Sequence, residues 1–225
     1  MKKEKHLLLL SIGAALLVAI LIISASVTIT LFDRSSYTSD ISSSGLPERT
    51  GMSEEEILAN YNALIDYNSV FFIGPLEFPS LPISDNGREH FREVKVIFSA
   101  FQIAFIISAI CLIPLCIILI KKRKTGFLLG GGILAIAVPA FVGLIMAVAG
   151  WDRFFLLFHQ LMFNNDFWIF DELSDPVILI LPDSFFLQCL IKIIAGIVIP
   201  AIILIIISSR TRYQTGSRSP RLTVQ

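Results

Sequence analysis

Charge is what this sequence lacks. Charged residues make up 16% of its 225 residues, against about 25% in an ordinary soluble domain. Hydrophobic residues reach 55% and the mean hydropathy is +0.77, too apolar for a chain that must keep a wet surface. Soluble globular, disordered and collagenous classes are therefore excluded. Cysteine is scarce as well: Cys111, Cys116 and Cys189 lie within or at the edge of apolar stretches, which excludes a secreted disulfide framework. With no CxxC pair and no HExxH sequence, zinc chemistry of the familiar kinds has no support. No metal and no cofactor are expected.

What is present is a set of long apolar runs. Leu7–Leu31, Val96–Ile120 and Gly126–Gly150 carry no formal charge, and Ser184–Ser209 carries only Lys192. Each reaches the roughly 20 residues that an α-helix needs to cross about 30 Å of hydrocarbon. The expected fold class is an all-α membrane protein with four transmembrane helices. The expected segments are helix 1 at 7–31, a first outer segment at 32–95, helix 2 at 96–120 and an inner loop at 121–125. Helix 3 follows at 126–150, a second outer segment at 151–183, helix 4 at 184–209 and an inner tail at 210–225.

Orientation follows from the basic residues. Eleven of the 18 positive charges lie at the N-terminus, in the run Lys121–Lys124, or among Arg210, Arg212, Arg218 and Arg221, with only Glu4 among the acids beside them. The positive-inside rule makes these places cytoplasmic and both termini internal. The first span has a rival reading, because a basic start and Ser24-Ala25-Ser26 resemble a signal peptide with a cleavage site. Its apolar run is longer than such peptides use, so retention as an anchor is the expectation.

The two outer segments together form the expected cap, of helix and loop with short strands as an option. Asp33–Gly45, rich in Ser and Thr, reads as extended or irregular. Ser53-Glu54-Glu55-Glu56 is a capping box, and Ile57, Tyr61, Leu64 and Ile65 repeat at helical spacing, which predicts an amphipathic helix over Glu54–Tyr67. Arg88–Lys95 reads as the outer extension of the second span. Trp151–Phe170 holds six Phe and two Trp around the polar residues His159, Gln160, Asn164, Asn165 and Asp166. An aromatic belt at headgroup level and a pocket for acyl chains both fit that density. Pro176–Pro182 is an apolar run closed by proline at both ends, either a short strand or a buried segment.

The block Phe158–Asp171, then Asp175-Pro176-Val177-Ile178, Leu181-Pro182 and Phe185-Phe186, with Glu89-His90-Phe91 and Val94-Lys95 ahead of the second span, resembles the bacterial lipoprotein intramolecular transacylase family. Two positions depart from its pattern: Glu93 stands where an aspartate is usual, and Glu172 where a proline is common. The resemblance implies a bacterial cell-membrane acyltransferase whose cap faces outward. Its substrates would be diacylglyceryl-lipoproteins, held with membrane lipid and without nucleic acid. It further implies that the sn-2 acyl chain moves to the α-amino group of the lipoprotein's own N-terminal cysteine, leaving a lyso form, with His90 and His159 catalytic. Tyr61, Lys95, Phe158, Asn165, Asp166, Phe167, Trp168 and Asp171 are the candidate substrate-binding residues.

The chemistry suits those residue types. An α-amino group has a pKa near ~7.7–8.0 and histidine near ~6.5, so imidazole exchanges protons with it around neutral pH. One histidine would take the amine proton while the other, protonated, supports the oxyanion or the leaving glyceryl oxygen. Nucleophile and ester share one molecule, and their reaction closes an eight-membered ring, so a confining pocket would contribute much of the rate. The alternatives are a non-catalytic scaffold or a small transporter with a partner-binding cap. Pro114, Pro139 and Pro200 could break helices as transporters do, but no charge accompanies them.

Overall fold

The computed structural model describes residues 2–41 and 44–216. Arg218 and Arg221, used above for orientation, lie outside them. The described residues are mostly helical, with no strand among them. Among the described residues four helices are long and apolar enough to cross a membrane: α1 (Lys2–Phe32), α5 (Asp85–Lys121), α6 (Gly126–Ala149) and α9 (Asp183–Gly216). Between α1 and α5 come α2 (Arg34–Asp40), α3 (Leu46–Thr50) and α4 (Glu54–Tyr67); α7 (Trp151–Met162) and α8 (Val177–Ile180) precede α9.

The chain divides into two compact units. One holds the residues up to Ile23, Ala104–Val142 and those from Ile194 onward. Its core is small: Ala14, Ala15, Val18, Leu119 and Phe127. Close approach of helices is made possible by glycine, as the Gly130-Gly131-Gly132 run suggests. A Cβ on Gly131 would lie 2.5 Å from Val18 Cβ, and one on Gly132 would lie 2.9 Å from the Ala201 carbonyl. Membrane helices associate through such small-residue contacts because apolar burial gives no driving force in lipid.

The other unit, Ser24–Ile103 with Gly143–Ile193, has a core of protein-interior type. Tyr37, Ile41, Leu46, Ile57, Tyr61 and Val177 are among its buried members. Helix α4 begins at the expected cap, with the Glu56 amide donating to Ser53 Oγ at 3.2 Å. Asp33–Gly45, expected to be extended or irregular, instead contains α2, with residues 42 and 43 outside the described ones. Its Tyr37 and Ile41, one turn apart, are both buried, and Arg34 ties it to Asn62 and Asp66 of α4. Two apolar residues in a Ser-rich stretch give too weak a periodic signal, and the tertiary core supplies the rest. Pro176–Pro182 forms the short helix α8, not a strand. Ser24 and Ser26 are buried, and Ser26 Oγ donates to the Ile193 carbonyl at 2.8 Å.

Candidate active site

The site begins with how α5 starts. Ser84 precedes its first residue, and the Ser84 hydroxyl accepts from the Gly87 amide at 3.0 Å, the side-chain capping that helix N-termini favour. Asp175, 3% exposed, grips the same serine: its carboxylate accepts from the Ser84 amide at 2.8 Å and from the Ser84 hydroxyl at 2.7 Å. Gly87 leaves room for this grip, since a Cβ there would lie 2.3 Å from Asp175 Oδ1. The start of α5 is thereby tied to the segment that follows the aromatic block.

One turn beyond Gly87, α5 carries His90. It is 5% exposed and enclosed by rings: Phe163 at 4.8 Å, Phe170 at 5.4 Å and Phe91 at 5.6 Å between centroids. His159, on α7, stands 6.2 Å from it. His159 has its own wall of Phe155 at 4.2 Å, Trp168 at 4.9 Å and Phe158 at 5.4 Å. Phe163 touches both imidazoles, lying 5.7 Å from His159.

The nitrogens differ in their partners. His159 Nδ1 lies 2.7 Å from the Phe155 carbonyl. A carbonyl only accepts, so Nδ1 carries the proton, and in the neutral ring Nε2 is left with a lone pair. Buried His90 Nδ1 has no hydrogen-bond partner among the described residues, a cost that folded proteins rarely leave in place without use. Burial pushes the His90 imidazole down to about 4, and the neighbouring His159 adds to the effect. Burial also lowers His159, partly opposed by the bond to Phe155. Both shifts favour the neutral ring, whereas the sequence-based expectation has one of the two protonated.

Glu93, a turn beyond His90, supplies the second link across the site. Its carboxylate accepts from Asn165 Nδ2 at 3.0 and 3.2 Å. Asn165 in turn accepts from the Phe167 amide at its side chain and from Trp168 Nε1 at its carbonyl, each at 3.0 Å. This chain of bonds fixes the indole that covers His159. A hollow of about 250 Å³ adjoins it, lined by Arg92, Glu93, Val96, Ile97, Met162 and Phe163.

Of the sequence-derived candidates, His90, His159, Phe158, Asn165, Phe167 and Trp168 therefore meet in one place. Asp166 and Asp171 sit on the same loop with exposed side chains, and the Phe155 carbonyl orients His159 in their stead. Tyr61 is elsewhere: 2% exposed, it stacks on Tyr37 at 3.7 Å and meets Phe185 edge-on at 5.8 Å. Lys95 is engaged with residues 67–72 through Tyr67 and Phe72. Sequence reasoning missed Glu93 as a partner of Asn165 and Asp175 as the clamp on α5. The sequence reads Asp85-Asn86-Gly87 as a turn, whereas the structure places these residues in the first turn of α5.

Comparison with known proteins bears on the family and the fold. The model of the family described as lipoprotein intramolecular transacylase Lit matches residues 12–186. The solved structure of the membrane integral lipoprotein intramolecular transacylase Lit from Bacillus cereus is 31% identical and superimposes with a TM-score of 0.89, over 95% of this chain and 99% of that one. A structure of the same Bacillus cereus protein with one histidine changed to arginine is 31% identical, with a TM-score of 0.82 over 96% and 95%. No curated protein matches the chain.

Proposed function

The chain belongs to the lipoprotein intramolecular transacylase family, and we propose that His90 and His159 carry its acyl transfer as a neutral acid/base pair. It is a multi-pass membrane acyltransferase whose substrate, by family, is a lipoprotein. The observation that carries the proposal is the pair of imidazoles 6.2 Å apart, brought from two helices into an aromatic enclosure.

In the proposed reaction the α-amino nitrogen of the lipoprotein's N-terminal cysteine attacks the sn-2 ester carbonyl. His159 Nε2 takes the amine proton, since the Phe155 carbonyl holds the ring in the tautomer that leaves that nitrogen free. A neutral His90 N–H donates to the developing oxyanion, at a buried position where such a bond is strong. The carbonyl–oxygen bond then breaks, and the glyceryl oxygen recovers the proton from His159. No water is consumed, and the product is an isomer of the substrate. The hollow beside Phe163 and the clamp of Glu93 on Asn165 confine the flexible substrate in a ring-closing geometry. Because mass is unchanged, tandem mass spectrometry of a lipoprotein's N-terminal lipopeptide is the test. Fragments of an N-acylated cysteine bearing a monoacylglyceryl thioether should appear only when this protein is present.

The proposed orientation has both termini in the cytoplasm and residues 32–95 and 151–183 outside. A cysteine at Asp171 should react with an impermeant reagent in intact cells, and one at Lys122 should not.

A further inference from the structure

The segment from Asn68 to Gly74 is irregular, yet it ends in bare apolar side chains: Phe71 is 80% exposed and Ile73 is 95% exposed. Its backbone is held by Gln102, 4% exposed and inside α5. Gln102 Nε2 donates to the Asn68 carbonyl at 2.8 Å, and the Val70 amide donates to Gln102 Oε1 at 3.0 Å. Gln102 follows Val96, where the uncharged run of α5 begins, by six residues, or about 9 Å along the helix axis. That depth belongs to hydrocarbon, where unpaired backbone groups are intolerable and irregular chain survives only if its polar groups are satisfied internally.

The amides of residues 68–72 meet that condition. The Ser69 amide donates to the Asp66 carbonyl at 3.1 Å, the Phe71 amide to Ser69 Oγ at 3.3 Å and the Phe72 amide to the Ser69 carbonyl at 3.0 Å. Lys95, the residue just before the uncharged run begins, donates to the Phe72 carbonyl at 2.9 Å with its ammonium over the Tyr67 ring at 4.3 Å. A cation and an aromatic ring at this level are what a headgroup boundary selects.

We propose that residues 68–74 form a wedge that enters the leaflet on the cap's side, with Phe71 and Ile73 in contact with lipid acyl chains. The first outer segment is thereby seated in the membrane beside α5 as well as above it. The test uses the full chain in phosphatidylcholine vesicles, with its three cysteines replaced by alanine and bimane attached at Ile73→Cys. A second label at Glu77→Cys, an exposed position, serves as the wet reference. Lipids bearing a nitroxide near the carbonyl end of the acyl chain should quench the Ile73 label at least several-fold more than the Glu77 label. Aqueous iodide should show the reverse order. Gln102→Ala, which removes both bonds to the segment, should raise iodide quenching at position 73. Equal iodide quenching at the two positions, or a label at 73 indifferent to lipid nitroxides, would overturn the wedge.

Discussion

Helices α4 and α7 are similar in length and both carry apolar residues at helical spacing, yet they use them in opposite ways. In α4, Ile57, Asn60, Tyr61, Leu64, Ile65 and Tyr67 are buried in the cap's own core. In α7 no residue is buried, and Leu161 is 84% exposed. One helix is framework; the other leaves its apolar side chains largely uncovered and carries a histidine of the proposed site. His159 is accordingly positioned by ring contacts, one carbonyl and the Asn165 loop, while His90 rides on a helix clamped at its start by Asp175. A site built partly on a helix with no buried residue depends on a few specific bonds for its geometry.

The sharpest way to break this comparison is to treat the two histidines as ordinary packing residues. His159→Asn and His90→Asn keep size and polarity but cannot shuttle a proton near neutral pH. Each should lower the rate of lyso-lipoprotein formation by about 10²–10⁴-fold at normal abundance. The double variant should be little worse than either single one, because groups that act as a unit are not additive. Normal product yield from a well-expressed His159→Asn protein would reduce the pair to scaffolding.

The framework side predicts the converse. Ile57, fully buried in α4, should cost about 2–5 kcal/mol of stability when cut to alanine, read as lower thermal stability in detergent with activity per folded molecule retained. Leu161→Ala on α7 should leave the melting temperature nearly unchanged. Equal destabilisation at the two sites would erase the distinction between the helices.

Much of this arrangement is legible in the sequence because it is local. Uncharged runs announce the spans, and Ser53 with Glu56 announces the start of α4. Charge and aromatic density also set His90 and His159 apart from His6. What was not legible is non-local. Glu93 meets Asn165 across 72 residues, and Ser84 meets Asp175 across 91, distances at which no periodicity operates. Helix α2 escaped notice because a core that only exists in three dimensions stabilises it. Tyr61 is a residue whose surroundings the sequence does not give, because an aromatic on an amphipathic helix reads alike whether it faces ligand or core.

The pH profile tests the neutral pair. A lowered pKa keeps a histidine in its basic form to lower pH, so its loss belongs on the acid side only. With His90 at about 4 and His159 below its ordinary value, the first loss on acidification should come from the substrate amine. Between pH 8 and 6 the neutral amine falls on the order of fifty-fold, and kcat/KM should fall with it at a slope of one. A slope of two across that interval would mean that a histidine titrates there as well, contrary to its burial.

The smallest effect is expected where the site's loop is braced. Asn165→Ala removes the two bonds to Glu93 and the one from the Phe167 amide, but it leaves the backbone carbonyl that accepts from Trp168 Nε1. The indole over His159 therefore keeps a partner while its loop loses the tie to α5. A misplacement of this kind, without loss of a reacting group, should lower kcat by roughly tenfold, well within the range attributed to positioning. It should not move the acid limb of the pH profile, because neither imidazole changes its burial or its partner. Trp168→Ala, in contrast, opens one wall of His159 to solvent and should let its pKa rise back toward ~6.5, steepening the acid limb. If Asn165→Ala steepened that limb too, the brace would be acting through the histidine's environment, and the division of labour between loop and ring would have to be redrawn.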